Sequence, residues 1–162
     1  MVEFIYHSSV KLDRSRRQSY GCSFSLGTFG GGGGYAFNEL LDSCGAVVKR
    51  IVIHAALYVD AIQITYRLSN GRDYTASFHG GYGGTRYVIN IDIYNGEKVI
   101  GVFGKSAAFV DQLGFITNKG RIFGPYGGCG GWNFNVNSCH IRGIYGRSAL
   151  YLDSIGFYCS HV

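Results

Sequence analysis

The sequence predicts an all-β fold, a closed body of short strands built from three related units about a pseudo-threefold axis. Two repeats and the composition predict it. The first repeat is Ala149-Leu150-Tyr151-Leu152-Asp153-Ser154-Ile155, matched by Ala56-Leu57-Tyr58-Val59-Asp60-Ala61-Ile62 and Ala107-Ala108-Phe109-Val110-Asp111-Gln112-Leu113. Each copy runs small, apolar, aromatic, apolar, Asp, small or polar, apolar. The second repeat is a glycine loop: residues 30–34 are all Gly, residues 80–84 read Gly-Gly-Tyr-Gly-Gly and residues 127–131 read Gly-Gly-Cys-Gly-Gly. An aromatic residue stands three positions after each loop, at Phe37, Tyr87 and Phe134. The loop ends Gly34, Gly84 and Gly131 are spaced by 50 and 47 residues, a period that defines an architecture of repeated units. Composition agrees: 46% apolar residues exclude a disordered chain, and 13 Tyr, 11 Phe and 26 Gly with a single Pro favour strands joined by many turns.

The elements follow in order. Residues 1–18 match no repeat and read as an extension, with a short strand at 2–6. Residues 19–26 alternate as a strand before the first Gly loop. Residues 47–54 form a strand into the first Asp loop, and residues 61–68 leave it. Ser69-Asn70-Gly71-Arg72 is a hairpin turn, because Asn-Gly accepts positive φ at both central positions. Residues 74–78 return as a strand to the second Gly loop. The second unit repeats this with strands at 87–93, 99–103 and 113–117, turns at Asn95-Gly96 and Asn118-Lys119-Gly120, and residues 121–123 leading into the third Gly loop. The third unit runs from Trp132 through a strand at 141–145 to the Asp153 loop and a last strand at 154–159. No stretch of useful length has helical period. A chain of 162 residues is most simply one body able to bury its own core.

The formal charge is +5, and much of the excess sits in residues 11–17, with Lys11, Arg14, Arg16 and Arg17 against Asp13. Four charges make a solvated arm rather than a nucleic-acid patch. The five cysteines, Cys22, Cys44, Cys129, Cys139 and Cys159, contain no Cys-x-x-Cys pair, so a structural zinc site is not expected. Their odd count leaves at least one thiol free or paired between chains. The opening residues are too short and polar for a signal peptide, and no run approaches the ~20 apolar residues of a membrane span. A secreted protein whose leader is absent from this sequence is expected, with a cytoplasmic location left open.

Gly34-Tyr35-Ala36-Phe37-Asn38, Thr117-Asn118-Lys119, Phe123-Gly124-Pro125-Tyr126-Gly127 and Tyr151-Leu152-Asp153 together resemble the jacalin-related lectins. The resemblance covers about residues 19–160, which would make residues 19–162 the lectin domain and 1–18 an N-terminal extension. Three Gly loops with three aromatic-x-Asp stretches are most similar to members that carry three mannose sites per domain. The resemblance implies a β-prism of three four-stranded Greek-key sheets. It also implies three carbohydrate sites, each between an Asp loop and the Gly loop of a neighbouring unit. Site one pairs Gly34 with Leu150, Tyr151 and Asp153. Site two pairs Gly84 with Leu57, Tyr58 and Asp60. Site three pairs Gly131 with Ala108, Phe109 and Asp111. Ala56, Ala107 and Ala149 stand where the family often has Gly.

The chemistry fits these residue types. A hexose presents adjacent hydroxyls, and an ionised carboxylate accepts two such donors through charge-assisted bonds. Backbone N–H groups donate to the sugar oxygens, and Gly admits the close approach. An aromatic ring is expected to cover the apolar face of the sugar. No metal or cofactor is required. The uncut Gly loop implies mannose or glucose in preference to galactose, because the galactose type of the family frees a Gly amine by proteolysis. Expected partners are mono- and oligosaccharides of glycoproteins or polysaccharides, with a homodimer multiplying the sites, no nucleic acid and no membrane insertion. No Gly loop precedes a helix with Lys-Ser/Thr, which excludes a P-loop, and no nucleophile–base signature indicates an enzyme. The rival reading is a matrix or mineral-associated structural protein that binds polysaccharide; a galactose-preferring lectin is the nearer alternative.

Overall fold

The structure, a computed structural model, describes residues 19–20, 22–41 and 45–162. The basic cluster at residues 11–17 and the strand expected at 2–6 lie outside the described residues. The strands are β1 (Ser19–Tyr20), β2 (Ser23–Gly30), β3 (Tyr35–Asn38), β4 (Val47–Ala55), β5 (Val59–Arg67), β6 (Asp73–Thr75), β7 (His79–Gly80), β8 (Thr85–Asn90), β9 (Val99–Ser106), β10 (Val110–Thr117), β11 (Ile122–Gly127), β12 (Trp132–Val136), β13 (His140–Ser148) and β14 (Leu152–Ser160). Period-two patterning selects their faces. In β4, Ile51, Ile53 and Ala55 join the core, while Arg50 and His54, out of phase, remain partly exposed.

The strands form three antiparallel sheets with one shared topology. The first has the order β1-β2-β14-β13-β3, the second β6-β5-β4-β8 with β7 also on β5, and the third β11-β10-β9-β12. In the second and third, a central hairpin is flanked by the next strand on one side and the last on the other, a Greek key. The first sheet is the same key made from the two ends of the chain: the hairpin β13–β14 receives β2 and β3 as its flanks. The result is the β-prism of the jacalin fold.

Aromatic pairs close the prism at all three junctions. Phe134 of β12 stacks on Phe29 of β2 with centroids 4.3 Å apart, Phe37 of β3 on His79 of β7 at 3.8 Å, and Tyr87 of β8 lies 4.5 Å from Tyr126 of β11. The aromatic residue that recurs after each Gly loop is therefore a latch onto the neighbouring sheet. A buried polar link reinforces one junction. Glu39, just beyond β3, accepts the Tyr66 hydroxyl at 2.8 Å and lies 2.7 Å from His79 Nε2. Away from the loops, a disulfide joins Cys139, just before β13, to Cys159 of β14.

Three local expectations are corrected, and one strand is added. The strand expected over 87–93 ends at Asn90, and Ile93–Asn95 is a 3-10 turn closed by Gly96 in the left-handed region at φ 75°. The strand expected over 74–78 stops at Thr75 with β6, and β7 follows it separately at His79–Gly80. The four-residue β3 had no alternating signature long enough to read. Asp60, Asp111 and Asp153 are the second residues of β5, β10 and β14, not loop residues. The register shifts beside each hairpin turn, at His54/Ala55, Val110/Gln112 and Arg147/Ser148, and the residue passed over is Asp60, Asp111 or Asp153, so each Asp is a bulged residue with no partner across the hairpin.

His140 opens β13, far along the strand from the hairpin turn. Its Nε2 is buried without a hydrogen-bond partner, and burial, aided by the charges of Arg142 and Lys98, pushes its pKa from 6.5 down to about 4. A pKa lower in the folded than in the unfolded chain gives stability that is whole above pH 6.5 and lost as pH falls towards 4. Over that window the loss approaches about 3 kcal/mol. Calorimetric melting from pH 7 to 4 should show a smaller decline for His140→Gln than for the wild type. Parallel curves would show that His140 does not carry the effect.

Candidate functional site

The three central hairpins turn at the same end of the prism, and each turn is built the same way. Ala149 N–H donates to Tyr151 O at 3.0 Å, Ala56 N–H to Tyr58 O at 2.9 Å, and Ala107 N–H to Phe109 O at 2.9 Å. Tyr58, Phe109 and Tyr151 then meet at the axis, with ring centroids 5.1 to 5.3 Å apart in all three pairs. The rings expected to cover ligand are thus packed on one another. They anchor the three turns, and it is the main chain and the following Asp that border each pocket.

Each Asp faces the Gly loop of its own sheet. A Cβ built on Gly34 would stand 2.5 Å from Asp153 Oδ2, one on Gly84 2.5 Å from Asp60 Oδ2, and one on Gly131 2.6 Å from Asp111 Oδ2. The preceding residues, Gly33, Gly83 and Gly130, approach the Oδ1 atoms at 2.6, 2.8 and 2.9 Å in the same sense. The φ angles of Gly34, Gly84 and Gly131 are 69°, 72° and 78°, so a side chain is excluded by conformation as well as by space. The loops are tied down from Gly31, Gly81 and Gly128, whose N–H groups donate to the carbonyls of Asp153, Asp60 and Asp111 at 2.9 to 3.0 Å. Gly34 with Asp153, Gly84 with Asp60 and Gly131 with Asp111 are therefore brought together.

Electrostatics sets these carboxyls apart. The three Asp residues are only 4–6% exposed, and each Oδ2 is buried with no hydrogen-bond partner. Burial raises the pKa of all three above the usual carboxylate value; His54 pulls back on Asp60, Arg147 on Asp153, and only backbone N–H groups pull back on Asp111. An acceptor held in this way, beside bare backbone, is suited to a ligand that brings hydroxyl donors.

A basic residue six positions before each Asp completes the arrangement, and sequence reasoning missed it as a repeat. Arg147 donates from Nε to Gly33 O at 3.0 Å and from Nη2 to Gly34 O at 2.7 Å. Lys105 Nζ donates to Cys129 O at 3.3 Å. His54 occupies the same place in the second sheet and lies edge-on to Phe78 and to Tyr82 of the second loop, at 5.4 and 6.5 Å. Aligning the three Asp stretches six residues further back would have revealed it. His79, by contrast, is taken up by Glu39 and Phe37.

The pockets are joined into a ring. Gly31 abuts the main chain of Ala108, Gly81 that of Leu150, and Gly128 that of Leu57. Each turn tip thus touches a Gly loop other than the one its own Asp faces. The walls differ: the middle loop residue is Gly32, Tyr82 or Cys129, and the residue after the loop is Tyr35, Thr85 or Trp132. Leu57, Leu150, Tyr35, Tyr82 and Trp132 are all strongly exposed here. Among the described residues no group of His, Cys, Asp or Glu is placed to hold a metal ion.

Comparison with known proteins agrees with this geometry. The Jacalin-like lectin domain matches residues 26–158. The chain is 32% identical over 134 residues to zymogen granule membrane protein 16 of Rattus norvegicus, covering 82% of this chain and 72% of that protein. Among solved structures, AcmJRL, a mannose-binding jacalin-related lectin from Ananas comosus, superposes with a TM-score of 0.76 at 31% identity over 86% of this chain and 99% of that one. A mannose-specific jacalin-related lectin from Morus nigra, in complex with mannose, gives 0.75 at 28% identity over 88% and 99%. The chain belongs to the jacalin-like lectin family, whose members are carbohydrate-binding proteins.

The buried carboxylates oppose folding. Asp111, with no cation offsetting its burial, has the most to gain from neutralisation. Asp111→Asn should raise Tm at pH 7 by a few °C, since relief of ~1 kcal/mol is worth about 2–4 °C in a chain of this size. Differential scanning calorimetry checks this, and a lower Tm would contradict the unpaired-charge account.

Proposed function

We propose that this chain binds mannose- or glucose-type glycans without a metal, through up to three pockets of one plan at one end of the prism. One observation carries the reading: three buried Asp Oδ2 atoms without a partner, each facing a Gly loop that admits no side chain. In each pocket the carboxylate accepts from two adjacent hydroxyls, while backbone N–H groups of the turn and the Gly loop donate to sugar oxygens. The mannose-binding neighbours of the same fold support the choice of sugar. The Asp153 pocket is the firmest, because Arg147 clasps two successive carbonyls of its Gly loop.

A shallow monosaccharide site of this type works at about millimolar affinity, ~4 kcal/mol. Three sites facing one way raise avidity on a branched glycan by roughly 10²–10⁴-fold, and a homodimer would allow crosslinking. A secreted location fits the Cys139–Cys159 bridge and the disulfide-bonded state of Cys22. We assign lectin activity to residues 19–162 and none to 1–18.

Titration of ¹⁵N-labelled protein with methyl α-mannoside should shift the amides of Gly34, Gly84 and Gly131, equally with and without EDTA. Asp153→Ala should silence Gly34 and leave the other two responsive. A response to galactosides alone would keep the fold and reverse the specificity. Silence to every neutral sugar, with binding to sulfated polymers that disappears on removing residues 1–18, would favour the matrix reading.

Acid should abolish sugar binding. The Asp pKa values are raised, so protonation removes the acceptor as pH falls, beginning above the range of an ordinary carboxylate. The same titration repeated from pH 7 to 4 checks this. Unchanged affinity at pH 4 would exclude the carboxylates as acceptors.

A further inference from the structure

The middle residue of each Gly loop points away from the prism. A Cβ built on Gly32 would meet nothing within 4 Å, and Tyr82 at the second loop is 83% exposed. In the third loop that position is Cys129, an exposed cysteine with a free thiol. The next two residues, Gly130 and Gly131, line the Asp111 carboxyl. Asp111 is only 6% exposed, and its Oδ2 has no partner and is aimed at Gly131. Lys105 pins the loop by donating to the carbonyl of Cys129 itself. Cys129 is therefore the residue next to the carboxylate pocket, on a loop whose main chain is held by an ammonium group. The other two pockets have no sulfur at this place.

We propose that Cys129 is a thiol-modification site for small anionic disulfides of the glutathione type, and that the attached group closes the Asp111 pocket alone. This rests on the reading of that pocket as a sugar site. In the reaction the Cys129 sulfur, as thiolate, attacks one sulfur of glutathione disulfide. The new Cys129–glutathione S–S bond forms as the original S–S bond breaks. The second glutathione leaves as a thiolate and takes up the proton given up by Cys129, so no further oxidant is needed. Lys105 favours a reagent that carries carboxylates. A tripeptide anchored at the loop apex is long enough to lie across Gly130 and Gly131. The modification converts a three-pocket face into a two-pocket face, and a reductant reverses it.

The test uses the full chain with its native disulfides. Incubation with glutathione disulfide should add one glutathionyl group by intact mass, and Cys129→Ser should take none. In the adduct, methyl α-mannoside should still shift the Gly34 and Gly84 amides but no longer Gly131, and mild reduction should restore the third response. The reciprocal experiment needs no adduct: mannoside at ten times its Kd should slow modification of Cys129 about tenfold, and Asp111→Ala should abolish that protection. An adduct that leaves the Gly131 response intact, absence of an adduct at Cys129, or sugar that fails to protect the thiol while Gly34 and Gly84 respond would each overturn the proposal. If none of the three glycines responds in untreated protein, the lectin reading itself falls, and the proposal with it.

Discussion

The structure depends on the approach of a carboxyl group to bare backbone, made three times. Asp60, Asp111 and Asp153 are the bulged residues that follow their turns, passed over by the hairpin register, and their side chains face the Gly loops. Facing them, Gly83–Gly84, Gly130–Gly131 and Gly33–Gly34 come so close that a methyl group would overlap the carboxyl oxygens. Neither partner satisfies the other, and each Oδ2 is left buried and unpaired. Such a contact is costly to the fold. It recurs at all three positions, and the proposed sugar sites rest on it.

The rest of the prism holds this contact in place. Around the perimeter, the ring pairs Phe29–Phe134, Phe37–His79 and Tyr87–Tyr126 fasten each sheet to the next. On the axis, Tyr58, Phe109 and Tyr151 fix the three turns to one another. At the pocket rims, Arg147, Lys105 and His54 prop the Gly loops from the same strand position. The symmetry is thus carried by packing and by polar props together. The middle loop residues, Gly32, Tyr82 and Cys129, differ in type, and there the three pockets diverge.

Much of this was legible in the chain. The two repeats, their period and the pairing of each Asp with a Gly loop could be read directly, because glycine runs and an Asp within an apolar stretch stand out against ordinary strand patterning. The short β3 could not be read, since four residues carry too little alternation. The strand read over 87–93 runs past its end at Asn90 because Ile91 and Ile93 continue the alternation, while the turn at Asn95-Gly96 was legible from its residues. The basic residue six positions before each Asp is visible in principle, but Arg, Lys and His do not align as one residue type.

The sequence by itself determined that three like units, each with a carboxylate and a glycine loop, make an all-β body of the jacalin-like lectin family. Residue type alone is enough for that, since strand propensity, turn glycines and a repeated Asp are local properties. The tertiary structure decided which surfaces those residues face. Tyr58, Phe109 and Tyr151 look like ligand covers in sequence, yet they pack on one another because closure of three sheets brings three turns to one axis. Phe37, Tyr87 and Phe134 became latches for the same reason. The direction of a side chain depends on what the neighbouring sheet leaves unfilled, and no single unit contains that information.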